Sequence, residues 1–445
     1  MDPVSFIHRL SFEDLSPDII HSVKRLLIDN LGVCITGRQT KQAKIAYDHA
    51  ASVYSGTHTR LWLDGRSVSY PGAVFAHACA CDSVDMHDGF ARADGHPGAA
   101  IIPAVFALLY EKNGVAISGK ELIATTAVAY EIAIRAGAVL HATSNVYHSS
   151  GAWNAIGVAA AYARRFKLNF EQTRHALGIA EYHGPRSLVM RCVDYPTMVK
   201  DGSGWGAMTG MSAAMLAELS FTGAPATTVE VGTDRRLQFE SVIEKEWQDL
   251  GRVFALQEPR IKEFAVCFWC QAPIYAMRTL QQQHGFAIED IIKIRIVTFE
   301  QALHLNHPTP TTTDEAQYSL PFSVAAALVH GRVTGREVDA EELRNERVLR
   351  VSRLVTMEED SDMSAEYYNG RCVCRVTVEL RDRRSITSED TVTKWGNVSD
   401  RDLDAKFRSI ATQALNPFRV EKLLALLRDL ENVPSLAHLE DFLQD

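Results

Sequence analysis

The sequence predicts a mainly α-helical protein: a large, discontinuous all-helical domain with a smaller α/β domain inserted near the C-terminus. Three observations carry this. Apolar residues recur at helical spacing through the first ~265 residues. Period-two alternation first appears near residue 288 and again near 371. Helical periodicity then returns after Arg401. The boundaries read as 1–264 and 396–445 for the helical domain and 265–395 for the α/β domain.

The elements follow in order. Asp18 to Leu27 opens a helix, and Pro71 to His87 predicts another. A third follows Pro97 and runs to about Lys112. Ser118-Gly119-Lys120-Glu121 is a capping box that starts a fourth. Asn169-Phe170-Glu171-Gln172 caps a further one. The stretches 157–165 and 204–219 are rich in Ala and Gly, which lets helix backbones approach closely. Ile292 to Ile296 and Arg371 to Leu380 alternate as half-buried strands, and Arg353 to Met357 is a weaker strand. Cys270–His284 and Pro321–His330 read as helices between them. The last helices lie in 405–415 and 420–430.

Composition removes several functions. Of 445 residues, 46% are hydrophobic and 23% charged, as in ordinary globular proteins. A net charge of -9 lacks the basic excess of a nucleic-acid binder. No basic-then-apolar leader opens the chain and no run of 18 apolar residues occurs, so neither secretion nor a membrane span is expected. A cytoplasmic location and reduced thiols follow from this reading. Cys267-Phe-Trp-Cys270 has CxxC spacing without a second pair, so it reads as packing, not redox or zinc.

The chemistry concentrates in residues 82–100, DSVDMHDGFARADGHPGAA. Asp82, Asp85 and Asp88 recur every third residue, which places them on one face at the end of the predicted helix 71–87. The helix dipole disfavours carboxylates there, so they require cations, and His87, Arg92 and His96 are the local ones. His96 precedes Pro97, a residue suited to the first helical turn. Placed at the helix N-terminus, its imidazole stays neutral and accepts protons. A metal site built from His77, Asp85, His87 and His96 has no HExxH-like spacing behind it, and no metal is assigned.

Three other places stand out: Val146–Gly151 with His148, Glu181–Ser187 with His183 and Arg186, and Met198–Gly206 with Lys200 before a glycine-rich turn. The last lacks both nucleotide-binding signatures, but a helix start there can hold a carboxylate. There is no GxSxG and no cysteine in a cationic setting, so nucleophilic catalysis has little support. Histidines, lysines, an arginine and an aspartate suit an anionic substrate and proton abstraction from carbon.

These residues resemble the MmgE/PrpD family. Asp85-Met86-His87-Asp88 with His96-Pro97-Gly98-Ala99-Ala100 is similar to its D-F-D-D-T…H-P-S-A-A segment. Leu177–Ala180, Phe221–Pro225, Ile261–Phe264 and Gln317–Phe322 resemble A-L-G-I-A, F-T-G-P, K-x-[FY]-P and [KQ]-F-S-L-P-Y. The resemblance runs along most of the chain in the right order. It implies a cofactor-free homodimer with a large helical domain, a smaller α/β lid and a cleft active site. It also implies proton transfer at a carbon beside a carboxylate, with Asp85, His96, His148, Lys200, Lys262 and Tyr318 in the site. This chain departs at Gly89, where the family has threonine, at Ala265, where it has proline, and at Cys270–Ala276, where a histidine is missing. Arg92 and the His183/Arg186 pair read as additions.

The family includes 2-methylcitrate dehydratase, cis-aconitate decarboxylase and iminodisuccinate epimerase. An epimerase needs opposed acid and base but nothing to protonate a leaving hydroxyl. The expectation is therefore an isomerase inverting a stereocentre in an amino-dicarboxylate such as iminodisuccinate. Two of His96, His148 and Lys200 act as acid and base, and Asp85 tunes a basic partner. Arg92, Arg186 and Lys262 bind carboxylates of a di- or tricarboxylate, with Tyr318 and His183 beside them. The alternative is a lyase, a dehydratase or decarboxylase, acting on a 2-methylcitrate-, citrate- or cis-aconitate-like acid.

Overall fold

A computed structural model describes residues 1–445 except 111–113, 233–238, 259, 394–397 and 445. The chain is mainly helical, with a small five-stranded mixed sheet and a separate two-stranded antiparallel pair, Ser55–Arg60 with Ser67–Val68. The helices that build the site region are α1 (Pro17–Gly37), α2 (Tyr70–Ser83), α3 (Gly98–Ala107), α4 (Gly119–Ala142), α5 (Gly151–Arg165), α6 (Phe170–His183) and α7 (Ser203–Glu218). Their starts follow local chemistry. Ser16, Ser69 and Ser118 each accept a backbone N–H of the first turn, and Asn169 and Gln172 cap α6 reciprocally. At α4 only half of the expected box forms. The Glu121 carboxylate takes Arg164 at 3.0 Å instead of closing back on its own cap. A charged guanidinium is the stronger partner.

Two predicted helices end early. Helix α2 stops at Ser83, not His87, and α3 stops at Ala107, while the expected end near Lys112 lies outside the described residues. Helix α4 is long and apolar enough to cross a membrane, but 94% of its most apolar window is buried inside the protein.

The sheet contains β1 (Ile291–Thr298), β2 (Val355–Glu359), β3 (Val373–Leu380) and β4 (Ser385–Thr387), in the order β2-β1-β3-β4. β1 and β2 are parallel, and β3 is antiparallel to β1, to β4 and to the short fifth strand Thr391–Val392. A parallel pair needs a long crossover, and the chain between β1 and β2 supplies it with the helices Leu320–His330 and Glu346–Ser352. Every second residue of β3 from Cys374 to Leu380 is buried, as its alternation requires.

The buried apolar residues form two main clusters. One takes residues from Val4 to Ala265 and again from Leu403 to Leu443. The helices Asp400–Ala411 and Pro417–Arg428 thus pack back on the N-terminal helices, Phe407 and Ile410 closing on Gly32 of α1. The other takes Phe264 to Ile386 with Val189, Cys192 and Val193. The domain boundary expected at 395/396 falls outside the described residues.

Candidate active site

The segment 84–97 runs between α2 and α3 across the seam of the two clusters. The three aspartates do not share a helix face. Asp85 takes a left-handed backbone (φ 52°), a conformation short polar residues tolerate, and this turns the chain out of α2. Gly89 and Arg260 exchange two backbone hydrogen bonds of 2.9 Å, which ties the loop to the chain entering the α/β part. Phe90 and Gly95 close the tip (2.8 and 3.3 Å). Gly98 must be glycine, because a Cβ would meet Asn30 Oδ1 and Asp88 Oδ1 at 2.3 Å each.

Each carboxylate finds its own solution. Asp82 Oδ2 accepts Ser203 N–H at 3.3 Å, at the positive end of α7, and its Oδ1 faces His87 Nε2 at 3.2 Å. Asp88 accepts Gly98 N–H (2.9 Å) and the Tyr130 hydroxyl (3.2 Å). Burial, with Asp29 nearby, raises its pKa to about 7. Asp85 Oδ1 takes the Lys262 ammonium at 2.5 Å, and its backbone oxygen takes the same group at 3.1 Å. Burial pushes the Asp85 carboxyl up, but Lys262, His87, Lys200 and His96 together hold it below its usual range.

His96 is fixed on all sides. Its N–H donates to Ser150 Oγ (2.9 Å), its carbonyl accepts Asn154 Nδ2 (3.0 Å), and its Nδ1 lies 2.7 Å from the Asp88 carbonyl. A carbonyl only accepts, so Nδ1 carries the hydrogen and the neutral ring presents a lone pair at Nε2. Burial first, then the Lys262 and His87 charges, hold its pKa well below the usual value. The neutral imidazole expected from the helix dipole is present for a different reason, since Pro97 and not His96 is the cap residue.

Lys200 also has a left-handed backbone (φ 46°) and is buried. Its Nζ donates to Gln317 Oε1, sits 3.3 Å from Asp314 Oδ1 and lies 5.4 Å from the Tyr318 ring centre. Gln317 Nε2 reaches back to the Ser83 carbonyl at 2.9 Å. The α/β part thus holds the lysine through Asp314, Gln317 and Tyr318. Tyr318 is buried, and its oxygen accepts Cys192 Sγ at 3.7 Å.

Asp85, His96, Lys200, Lys262 and Tyr318 therefore converge. Three expected residues, His148, Arg186 and His183, stand elsewhere, whereas Arg92 lines the cleft that His96 reaches. His148 and Arg186 line a separate cavity of about 220 Å³. There His148 Nε2 contacts Ser144 Oγ at 3.2 Å, and Arg186 pairs with Glu181 at 3.5 Å. His183 is exposed beside Tyr182. Arg92 is half-exposed and ion-paired with Glu246. Asp314, Gln317, Asp201 and Arg260 were not singled out from sequence. Gln317 heads a segment already noted for resemblance, and Asp201 follows Lys200, but Arg260 carries no local signal.

Of the convergent set, His96 alone reaches the open cleft of about 590 Å³ between the two parts, which is also lined by Arg92, Asp94, Tyr147, Arg260 and Tyr367. Asp85, His87 and His96 offer ligand atoms within 4.8 Å of one another, a spacing compatible with a cation. Lys262 on Asp85 and Asp82 on His87 already engage two of the three, so the donor set suits proton chemistry better. His77, considered with them, accepts Trp62 N–H at 3.0 Å and stacks on that indole.

The class of protein is defined by two family models that together span most of the chain. The MmgE/PrpD N-terminal domain matches residues 4–235 and the MmgE/PrpD C-terminal domain matches 264–432, so the chain belongs to the MmgE/PrpD family. Among individual proteins, it is similar to the cis-aconitate decarboxylases of Mus musculus and Homo sapiens. Each is 23% identical and aligns over 98% of this chain, covering 92% and 93% of the relative. The relatives act on a small carboxylic acid. They favour the lyase alternative over the expected epimerase.

Proposed function

We propose that this chain is a lyase acting on a small carboxylic acid, with proton transfer at the carbon beside a carboxylate. The observation that carries the reading is the neutral His96 imidazole, held with Nδ1–H on the Asp88 carbonyl, in the field of the buried Lys262 and sharing Asp85 with Lys200. His96 Nε2 exchanges the proton with carbon. The electron pair left on carbon, after loss of that proton or of CO2, delocalises into the carboxylate. Lys200 and Lys262 stabilise the charge in a water-poor setting. Lys200 also delivers a proton, to the carbanion in a decarboxylation or to a leaving hydroxyl in a dehydration. Asp85 holds the Lys262 ammonium in place.

Proton NMR in D2O tests this with cis-aconitate, citrate, 2-methylcitrate and iminodisuccinate as separate substrates. A new olefin or loss of CO2, reduced about 100-fold or more in His96→Asn and in Lys200→Met, is the expected result. Inversion of iminodisuccinate with deuterium entering the α-position and no loss of water or CO2 would return the protein to the isomerases. Turnover surviving His96→Asn would remove that residue's role.

A further inference from the structure

Ser150 stands at the N-cap of α5, where a serine ordinarily turns its hydroxyl onto an N–H of its own first turn. Here it makes no such bond. Its Oγ instead accepts the His96 N–H at 2.9 Å and donates to Asp201 Oδ2. Ser150 is buried, so both bonds are made away from solvent. A residue that gives up its local role in this way is held for a longer-range one.

Two loops meet at that hydroxyl. One carries His96, whose N–H is held by Ser150 and whose carbonyl is held by Asn154 Nδ2 (3.0 Å), both side chains from the start of α5. The other carries Lys200. Asp201 follows it directly, and the Asp201 backbone oxygen accepts Gly151 N–H at 3.1 Å. The approach on each side is too close for a further side chain. A Cβ at Gly95 would stand 2.4 Å from Ser150 Oγ, and one at Gly151 would stand 2.4 Å from the Gly202 carbonyl oxygen. Burial, with Asp82 nearby, raises the Asp201 carboxyl to about 7. In either protonation state it keeps an acceptor oxygen for the Ser150 hydroxyl.

We infer that Ser150 is a positioning residue of the reaction: with Asn154 and Asp201 it ties the loop of His96 to the loop of Lys200, so that the start of α5 fixes the base relative to the proton donor. Its effect on turnover rests on the proton-transfer reading, but the tie itself does not. Ser150 acts through His96 and Lys200 and binds no substrate. A misplacement of about 1 Å between reacting groups costs about 100-fold in rate. Loosening the tie therefore acts on kcat and leaves KM little changed.

Kinetics and NMR of the full chain test this with Ser150→Ala, Asp201→Ala and Asp201→Asn, on whichever of the acids named above the parent turns over. Ser150→Ala and Asp201→Ala are each expected to lower kcat by roughly 10- to 100-fold, with KM within about threefold of the parent. The double alanine variant should be no slower than the slower single, because both break the same link. Asp201→Asn keeps an acceptor oxygen and should stay within about threefold of the parent. The second readout is the ring N–H resonance of His96 in protein labelled at histidine nitrogen, identified by its loss in His96→Asn. Its Nδ1–H lies on the Asp88 carbonyl, and the resonance should shift or broaden in both alanine variants. Should Ser150→Ala fail to fold, Asp201→Ala against Asp201→Asn carries the same comparison. An unchanged resonance in the alanine variants, losses in kcat that add in the double variant, or an Asp201→Asn as slow as Asp201→Ala overturns the inference. A changed resonance with turnover untouched leaves the tie standing and removes the proton-transfer role of His96. If the parent turns over none of the acids, the functional reading fails and the resonance alone decides the tie.

Discussion

Replacing Lys262 by methionine keeps the length of the side chain and removes its charge. In the structure Lys262 is 1% exposed, and its ammonium lies 2.5 Å from Asp85 Oδ1, while Asp85 Oδ2 is buried with no partner among the described residues. Lys262→Met therefore leaves a buried carboxylate short of its nearest cation. Breaking a buried pair on one side costs about 3–5 kcal/mol. For a chain of 445 residues the unfolding entropy is about 0.9 kcal/mol per kelvin, so the midpoint should fall by about 3–5 °C. The assay is thermal unfolding of Lys262→Met, Asp85→Asn and the double variant as a cycle. The double variant should be less destabilised than the sum of the singles by about 3 kcal/mol, since it buries no lone charge. Additive effects would show that the two groups do not stabilise one another and would refute the reasoning. A surface pair such as Arg92–Glu246 would give at most about 1 kcal/mol in the same cycle.

Two further outcomes follow from the same region and from the helical core. Asp88 has a folded pKa of about 7 against an ordinary 3.8, so the native state keeps a proton that the unfolded chain releases. Its contribution to stability is lost as pH rises from about 4 to about 7 and is constant above that. Denaturant unfolding between pH 5 and 8 should show a shallower fall for Asp88→Asn than for the parent, and parallel curves would contradict the assignment. Gly178 in α6 has the Ala224 carbonyl oxygen only 1.6 Å from where a Cβ would stand. Gly178→Ala must push α6 away from the 224 segment, at a cost of about 3 kcal/mol, and an unchanged unfolding midpoint would show that the segment yields freely.

Much of the fold was legible because it rests on local periodicity. The strand pattern at 292–296, the alternation at 371–380 and the Asn169 cap are properties of neighbours in sequence, and neighbours make those elements. The return of the C-terminal helices was legible too, as a change of period. The acid loop was visible as an excess of charge but not as a geometry. Helical spacing put Asp82, Asp85 and Asp88 on one face, whereas the left-handed turn at Asp85 sends each to different partners. Asp82 reaches Ser203, Asp85 reaches Lys262, and Asp88 reaches Gly98 and Tyr130.

The sequence alone determined which residue types could do acid–base chemistry, the two-part helical and α/β organisation, and the family resemblance, because these depend on composition, period and ordered motifs. Only the tertiary structure decided that His96 joins Lys200 and Lys262 while His148 and Arg186 line another cavity, that Asp314 and Gln317 hold Lys200, and that Arg260 lines the cleft. The physical reason is distance along the chain. Asp85 and Lys262 are 177 residues apart, Lys200 and Gln317 117. Such pairs are set by how the helical layer packs on the α/β part, and no local preference encodes that.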